Sequence, residues 1–220
     1  MRIADLTTAH LLAAAEIHRA GFPDDPVSLL GREATRRYYS WLLDGPHRSE
    51  GFGAFLNGRL VGMVVGGSFG SLFPGYLRRN LLYVLCRLAL RPRLIAHPAI
   101  GGRALRKLRG RGPASPSADD RQEAPPSPEP GPSEPAWELL AIAVSPEARG
   151  HGVGALLVRE AARRAAATGF MRMELSVHPD NARAINFYEG IGWERFPPGE
   201  QWAGRMRRAV SYDPDSPGAA

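Results

Sequence analysis

One stretch of the chain decides the fold: LLAIAVSPEARGHGVG, residues 139–154. Its apolar run predicts a strand over 138–144, and the glycines after the Ser-Pro turn open an alanine-rich helix predicted over 152–167. Glycines let backbone N–H groups approach a ligand closely, and the positive end of a helix favours an anion. The stretch therefore predicts an anion site suited to a pyrophosphate over residues 149–154, with Arg149 as a mobile positive charge at its rim.

Two better-known phosphate loops do not fit these glycines. A P-loop ends in Gly-Lys followed by Ser or Thr, whereas Gly154 is followed by Ala155 and Leu156. The dinucleotide pattern needs a third glycine three residues further on, where Leu157 stands. A helix start that needs glycine only for tight packing stays open as the alternative.

A second motif follows one predicted strand (171–177) later: Asn181-x-x-Ala184-x-x-Phe187-Tyr188-x-x-x-Gly192-Trp193. Together with Arg149-x-x-Gly152-x-Gly154, it resembles the two signatures of the GNAT superfamily of N-acetyltransferases. The resemblance is specific over 137–196 and looser over 1–68. The resemblance implies an α/β fold with a mixed central sheet flanked by helices. Independently, the strand–helix–strand–helix order of the predicted elements favours a parallel pair of strands at the centre of that sheet.

The resemblance also implies acetyl-CoA as the acyl donor, with direct transfer of the acetyl group to a primary amine. Three sets of residues would bind the donor: the backbone of Ile142, Ala143 and Val144 at the pantetheine arm; the loop amides of Arg149, Gly150, His151, Gly152, Val153 and Gly154 at the pyrophosphate; and Asn181, Ala184 and Phe187 around the pantetheine. Tyr188 would protonate the leaving thiolate, because a tyrosine hydroxyl is a neutral donor at pH 7. Its alternative is a core aromatic residue with an exposed hydroxyl.

The candidate general base is Glu138, early on the central strand. Period-2 alternation predicts that it shares a strand face with Leu140, Ile142 and Val144. A carboxylate on an otherwise apolar strand is costly unless it is solvated or paired, which favours a functional interpretation. A strand-end residue that faces solvent is the alternative.

Other titratable residues near the predicted site are weaker candidates. Some relatives that modify protein N-termini carry a glutamate where Ser176 stands, so that mechanism is in doubt here. Glu174 and His178 are nearby alternatives, although His178 is expected to serve the turn before Pro179. Asp24 and Asp25 could line an acceptor pocket or be solvated. No His, Cys or Asp cluster has the spacing of metal ligands.

The remainder predicts one domain over 1–212 with an insertion. The predicted elements are helices over 9–20 and 31–43, strands over 52–56 and 60–65 joined by Asn57-Gly58, and final strands over 193–196 and 206–212. A basic helical insertion over 69–111 and a proline-rich, disordered linker over 112–135 precede the central strand, and a disordered tail covers 213–220.

The insertion concentrates positive charge. Residues 69–112 hold nine Arg and one Lys without an acid, whereas the whole chain has a net charge of +6. Helices are predicted over 76–90 and 99–108. They could form a lid that attracts an anionic acceptor, a weak membrane-surface contact over 76–108, or helices packed on the domain with solvated arginines. Nucleic acid is disfavoured because stacking aromatic residues are sparse.

Composition limits the class of protein further. Cys86 is the only cysteine, so no intrachain disulfide can form. The chain starts without a signal-peptide pattern and has no apolar run of about 18 residues, so a cytoplasmic protein is expected.

The leading hypothesis is an acetyl-CoA-dependent N-acetyltransferase, and the alternatives are a non-catalytic acyl-CoA-binding or regulatory module and a peripheral membrane protein. The acceptor and the oligomeric state stay open.

Overall fold

The structure is a computed structural model that describes residues 1–69, 72–95, 97, 100, 135–199 and 202–210. A seven-stranded mixed sheet lies at its centre, in the order β1-β2-β3-β4-β5-β7-β6. Its strands are β1 Arg2–Asp5, β2 Arg48–Leu56, β3 Arg59–Ser68, β4 Trp137–Val144, β5 Arg172–Ser176, β6 Glu194–Arg195 and β7 Arg205–Ala209. The helices are α1 Leu11–Gly21, α2 Pro26–Leu30, α3 Arg32–Asp44, α4 Leu72–Leu90, α5 Val153–Ala167 and α6 Ala182–Gly190.

The parallel pair predicted at the centre of the sheet is confirmed. β4 runs parallel to β5, and every other neighbouring pair in the sheet is antiparallel. The two parallel strands pair only at Trp137↔Met173 and Glu138↔Glu174. Past these two residues β4 stays paired with β3 alone, so the sheet opens between β4 and β5.

The hairpin predicted at Asn57-Gly58 is also confirmed. Both residues have positive φ, 50° and 78°, as the type I′ turn preferred by a two-residue hairpin loop requires. The two strands that it joins are longer than the predicted ones at both outer ends. The first strand of the sheet, β1, was not predicted, because its four residues are too few to show a period.

Helices cover both faces of the sheet. α5 and α6 pack on one face around Trp137, Leu157 and Met173, whereas α1 and α3 pack on the other around Leu11 and Met63. Burial of these apolar side chains is the main force that holds the layers together. The sheet flanked by helices confirms the predicted fold class.

The basic insertion begins with α4, which contains the helix predicted over 76–90. Its inner face packs Tyr76 and Val84 against Val27, Leu30 and Ala34 of α2 and α3. The helix predicted over 99–108, the linker over 112–135 and the tail over 213–220 lie almost wholly outside the described residues. Within the described part of the chain, every helix is too short or too polar to cross a lipid bilayer.

Candidate active site

The loop between β4 and α5 has the backbone geometry that its glycines predict. Gly150 and Gly152 adopt left-handed conformations with φ of 80° and 74°, which residues with a side chain rarely adopt. A Cβ atom added to either glycine would meet no heavy atom within 4 Å, so open space lies over the loop. The conformation therefore requires glycine at both positions, and it leaves the backbone accessible to a ligand.

The start of α5 presents unpaired donors. Leu156 is the first residue of the helix whose N–H bonds back to the helix start, at 3.0 Å from the carbonyl of Gly152. The N–H groups of Val153, Gly154 and Ala155 precede it and have no intrahelical acceptor. Because they lie at the positive end of a 15-residue helix, they form a site suited to an anion.

Arg149 is fixed in place, so the prediction of a mobile charge at the rim is wrong. Its Nε donates to the carbonyl oxygen of Val144 at 3.0 Å, and its Nη2 donates to that of Ala20 at 3.2 Å. Ala20 lies in the last turn of α1, where carbonyl groups lack helical partners and attract a cation. The guanidinium group thus joins the loop, the end of β4 and the end of α1.

A β-bulge in β4 corrects the predicted position of Glu138. Val65 pairs with Ala141 but Gly66 pairs with Leu139, so one residue of β4 has no partner on β3. The extra residue reverses the alternation of faces, and Trp137 and Leu139 therefore pack in the same cluster as Ile142 and Val144. Glu138 lies on the opposite face, with Leu140 and helix α1.

The neighbours of Glu138 on the sheet differ strongly on its two sides. Its partner on β3 is Gly67, which has no side chain to cover it, and its partner on β5 is Glu174. Glu174 is paired with two arginines: Arg172 Nε lies 3.0 Å from Oε1, and Arg205 Nη2 contacts Oε2. Both carboxylate oxygens of Glu174 are therefore engaged by arginines.

The second motif packs directly against the first. A Cβ atom added to Gly154 would lie 3.3 Å from Cζ of Phe187, so the phenyl ring covers the first turn of α5. Asn181 caps α6, because its Oδ1 accepts the N–H of Ala184 at 3.1 Å. That bond leaves the Nδ2 group of Asn181, on an exposed side chain, as a donor.

Tyr188 lies between two aromatic rings at the core side of α6. Its ring centroid is 5.1 Å from that of Phe187 and 5.6 Å from that of Trp193. The side chain is buried in the cluster under α5 and α6. This packing fixes the direction of the phenol.

His178 and the aspartates of the α1–α2 turn take structural positions. His178 Nδ1 accepts the N–H of Asp180 at 3.3 Å, as expected for a turn residue. Asp25 caps α2 by accepting the N–H of Val27 at 3.0 Å, while Asp24 is exposed. Ser176 is the last residue of β5.

Sequence reasoning missed a buried polar pair beside this turn. His18 Nδ1 lies 2.7 Å from the hydroxyl of Tyr39, and its Nε2 lies 3.6 Å from Asp25. Burial raises the pKa of Tyr39 well above the ordinary value, so the phenol stays neutral. A single histidine on an apolar helix face gives no sequence signal for such a pair. Among the described residues, no three His, Cys, Asp or Glu side chains are grouped to hold a metal ion.

Comparison with known proteins agrees with both motifs. Residues 117–193 match the sequence model of the acetyltransferase (GNAT) family, and this range contains the glycine loop and the Asn181–Trp193 motif. The resemblance drawn from the two motifs is therefore confirmed. No curated protein sequence matches the chain.

Solved structures share the fold over nearly the whole chain. The PaiA N-acetyltransferase from Thermoplasma acidophilum, in complex with coenzyme A, is 13% identical with a TM-score of 0.54, covering 95% of this chain and 98% of its own. The ribosomal-protein-alanine N-acetyltransferase from Brucella melitensis is 17% identical with a TM-score of 0.52, covering 96% and 100%. The phosphinothricin acetyltransferase from Sinorhizobium meliloti, in complex with AcCoA, is 16% identical with a TM-score of 0.51, covering 96% and 88%. At these identities the structures establish the GNAT fold of this chain.

Proposed function

We propose that the protein transfers the acetyl group of acetyl-CoA directly to a primary amine of a small molecule or peptide. The observation that carries this proposal is the position of the left-handed glycine loop beside the open edge of β4. The loop offers N–H donors to a pyrophosphate, and β4 beyond Glu138 offers unpaired backbone groups on its β5 side. An extended chain with amides and a diphosphate at one end fits this pair of features.

The residues of the site fit coenzyme A in three places. The backbone of 142–144 would pair with the pantetheine amides, and the N–H groups over 149–154 would bind the pyrophosphate. Asn181 would donate from its free amide nitrogen, while Ala184 and Phe187 would pack beneath the pantetheine. The Arg149 side chain would not contact the ligand directly. By donating to the carbonyls of Val144 and Ala20, it would hold the loop in position against β4 and α1.

Two side chains would move protons during the reaction. Glu138 would remove a proton from the ammonium form of the acceptor, since only the neutral amine can attack the thioester carbonyl. The amine nitrogen then bonds to the thioester carbon and the carbon–sulfur bond breaks. Tyr188 would give its proton to the departing thiolate, and the second proton lost by the nitrogen would restore the phenol, so that an amide and a free thiol result. Holding donor and amine together lowers the entropic part of the barrier.

Release of free thiol from acetyl-CoA across a panel of primary amines tests the activity. A Tyr188→Phe variant should lower kcat by about a hundredfold with little change in the Kd for acetyl-CoA, because only the proton donor is lost. Glu138→Gln should lower kcat/KM by a similar factor, whereas Glu147→Gln, on an exposed turn of the same connection, should not. Thiol release that stays at background across the panel would instead favour a non-catalytic acyl-CoA-binding module.

We also propose that residues 1–212 form one domain that the segment 69–135 interrupts. The sheet is continuous from β1 to β6, and Arg149 bonds to α1 across 129 residues of sequence. Both halves of the chain therefore contribute to one site. The acceptor would approach from the face of β4 that carries Glu138.

A further inference from the structure

The outward face of α4 carries a row of exposed leucines. Leu81, Leu82, Leu85 and Leu90 are 52%, 80%, 52% and 75% exposed. Positions three and four apart in a helix lie on the same side, so the first three form one stripe along the helix. Ile95, just beyond the helix, extends the apolar surface. We call these five residues the leucine stripe.

The opposite face of α4 fixes this orientation. Tyr76 is fully buried and donates from its hydroxyl to the carbonyl of Ala34, and Arg87 Nε donates to the carbonyl of Leu30 at 3.1 Å. Val84 is buried against α2 and α3 between them. Since both ends of the inner face are bonded to the domain, the leucine stripe cannot turn inward. Several neighbouring exposed leucines of this kind mark an interaction surface.

Arginines flank the leucine stripe at both ends. Arg78 and Arg79 precede it, Arg91 and Arg93 lie between Leu90 and Ile95 at its other end, and all four are exposed. No described carboxylate forms an ion pair with any of them. The described residues 72–95 include no acid, so no carboxylate of this segment offsets the charge of the four arginines.

We propose that the leucine stripe binds the surface of an anionic lipid bilayer. Apolar side chains at such a surface enter the boundary between headgroups and acyl chains, while arginines reach the lipid phosphates. A second copy of this chain is a poorer partner, because pairing two stripes would bring eight arginines together. The proposal is independent of the acetyl transfer and adds a location where it would take place.

Flotation with vesicles of phosphatidylcholine and phosphatidylglycerol tests the proposal with the full chain. The wild type should float with 3:1 vesicles at low salt, should not float with pure phosphatidylcholine, and should be released as salt rises. A double variant Leu82→Gln, Leu85→Gln should lower partitioning by about tenfold or more because two apolar contacts are lost. A double variant Arg91→Gln, Arg93→Gln should lower it by about fivefold for each charge removed.

A matched control uses exposed leucines elsewhere on the protein. Leu12 and Leu56 are 46% and 48% exposed and lie on α1 and β2, so Leu12→Gln with Leu56→Gln should leave flotation unchanged. All variants should keep the melting temperature of the wild type within a few degrees. Wild-type protein that fails to float with anionic vesicles would overturn the proposal.

Two further outcomes would also overturn it. If the stripe variants float as well as the wild type, the lipid contact lies elsewhere on the chain. If the wild type sediments as a dimer that Leu82→Gln with Leu85→Gln dissociates, and no vesicle binding occurs, the stripe is a contact between two copies. Acetyl-CoA should raise the melting temperature by the same amount in every variant, which separates this test from that of the proposed function.

Discussion

Replacing Arg149 by methionine tests how the glycine loop is held. Methionine keeps an unbranched apolar side chain but removes the two donors, which bond to the carbonyls of Val144 at 3.0 Å and Ala20 at 3.2 Å. Among the described residues, the Arg149 side chain forms no other hydrogen bond or ion pair. The variant therefore measures the link between the loop, β4 and α1.

The expected loss follows from the two bonds. A hydrogen bond from a charged donor contributes about 1.5–3 kcal/mol, and the bond to Ala20 is exposed, so the pair should contribute about 2 kcal/mol. A domain of this size loses about 2–4 °C of Tm for each kcal/mol, which gives a decrease of about 4–8 °C. Arg149→Lys should lose about half as much, because one ammonium group can reach only one of the two carbonyls.

Thermal unfolding followed by circular dichroism, without ligand, measures these differences. The expected order of Tm is wild type, then lysine, then methionine. Methionine and wild-type proteins that melt within 1 °C of each other would refute the reasoning, because the guanidinium group would then hold nothing. A lysine variant as stable as the wild type would show that charge alone is sufficient.

Two further predictions concern the core and pH. A Cβ atom at Gly66 would lie 1.9 Å from the ring of Trp137, and Trp137 is only 1% exposed. Gly66→Ala should therefore lower the free energy of unfolding, measured in urea, by at least about 3 kcal/mol. Gly190→Ala is the control: a Cβ atom there has open space around it, so the free energy of unfolding should change by less than about 0.5 kcal/mol. Burial lowers the pKa of His47 below its ordinary value of 6.5, so unfolding exposes a group that takes up a proton. Stability should therefore fall as the pH falls through 6.5, and His47→Leu should show a smaller fall between pH 7 and pH 5. An equal pH dependence in both proteins would contradict this role of His47.

The parts of the fold that short-range chemistry determines were predictable from sequence. Asn57 and Gly58 both adopt positive φ, because a type I′ turn requires it at both central residues and asparagine and glycine tolerate it best. Gly152 ends a turn and begins a helix for the same steric reason. Asn181 caps its helix through a side chain that reaches the backbone three residues on. Each of these features depends on atoms close in sequence.

The parts that depend on distant contacts were not predictable. The bulge in β4 lies in a uniformly apolar run, Leu139–Val144, where no alternation of polar residues marks a change of face. The face of Glu138 was therefore assigned wrongly. The partner of Arg149 at Ala20 is far away in sequence, and no local pattern indicates that the two meet. One of the ion pairs of Glu174 likewise depends on Arg205, which lies on β7, a later strand of the chain.

Binding of acetyl-CoA to two matched aspartate variants, measured by titration calorimetry, tests the central claim most directly. Gly152 and Gly169 lie at opposite ends of α5, have φ of 74° and 86°, and have open space around a Cβ atom, so aspartate strains the backbone equally at both. Two like charges about 4 Å apart repel by about 4 kcal/mol at a protein surface, so Gly152→Asp should weaken binding by at least about a hundredfold. Gly169→Asp should keep the affinity of the wild type within about threefold. Equal affinities in the two variants would contradict a pyrophosphate site at residues 149–154.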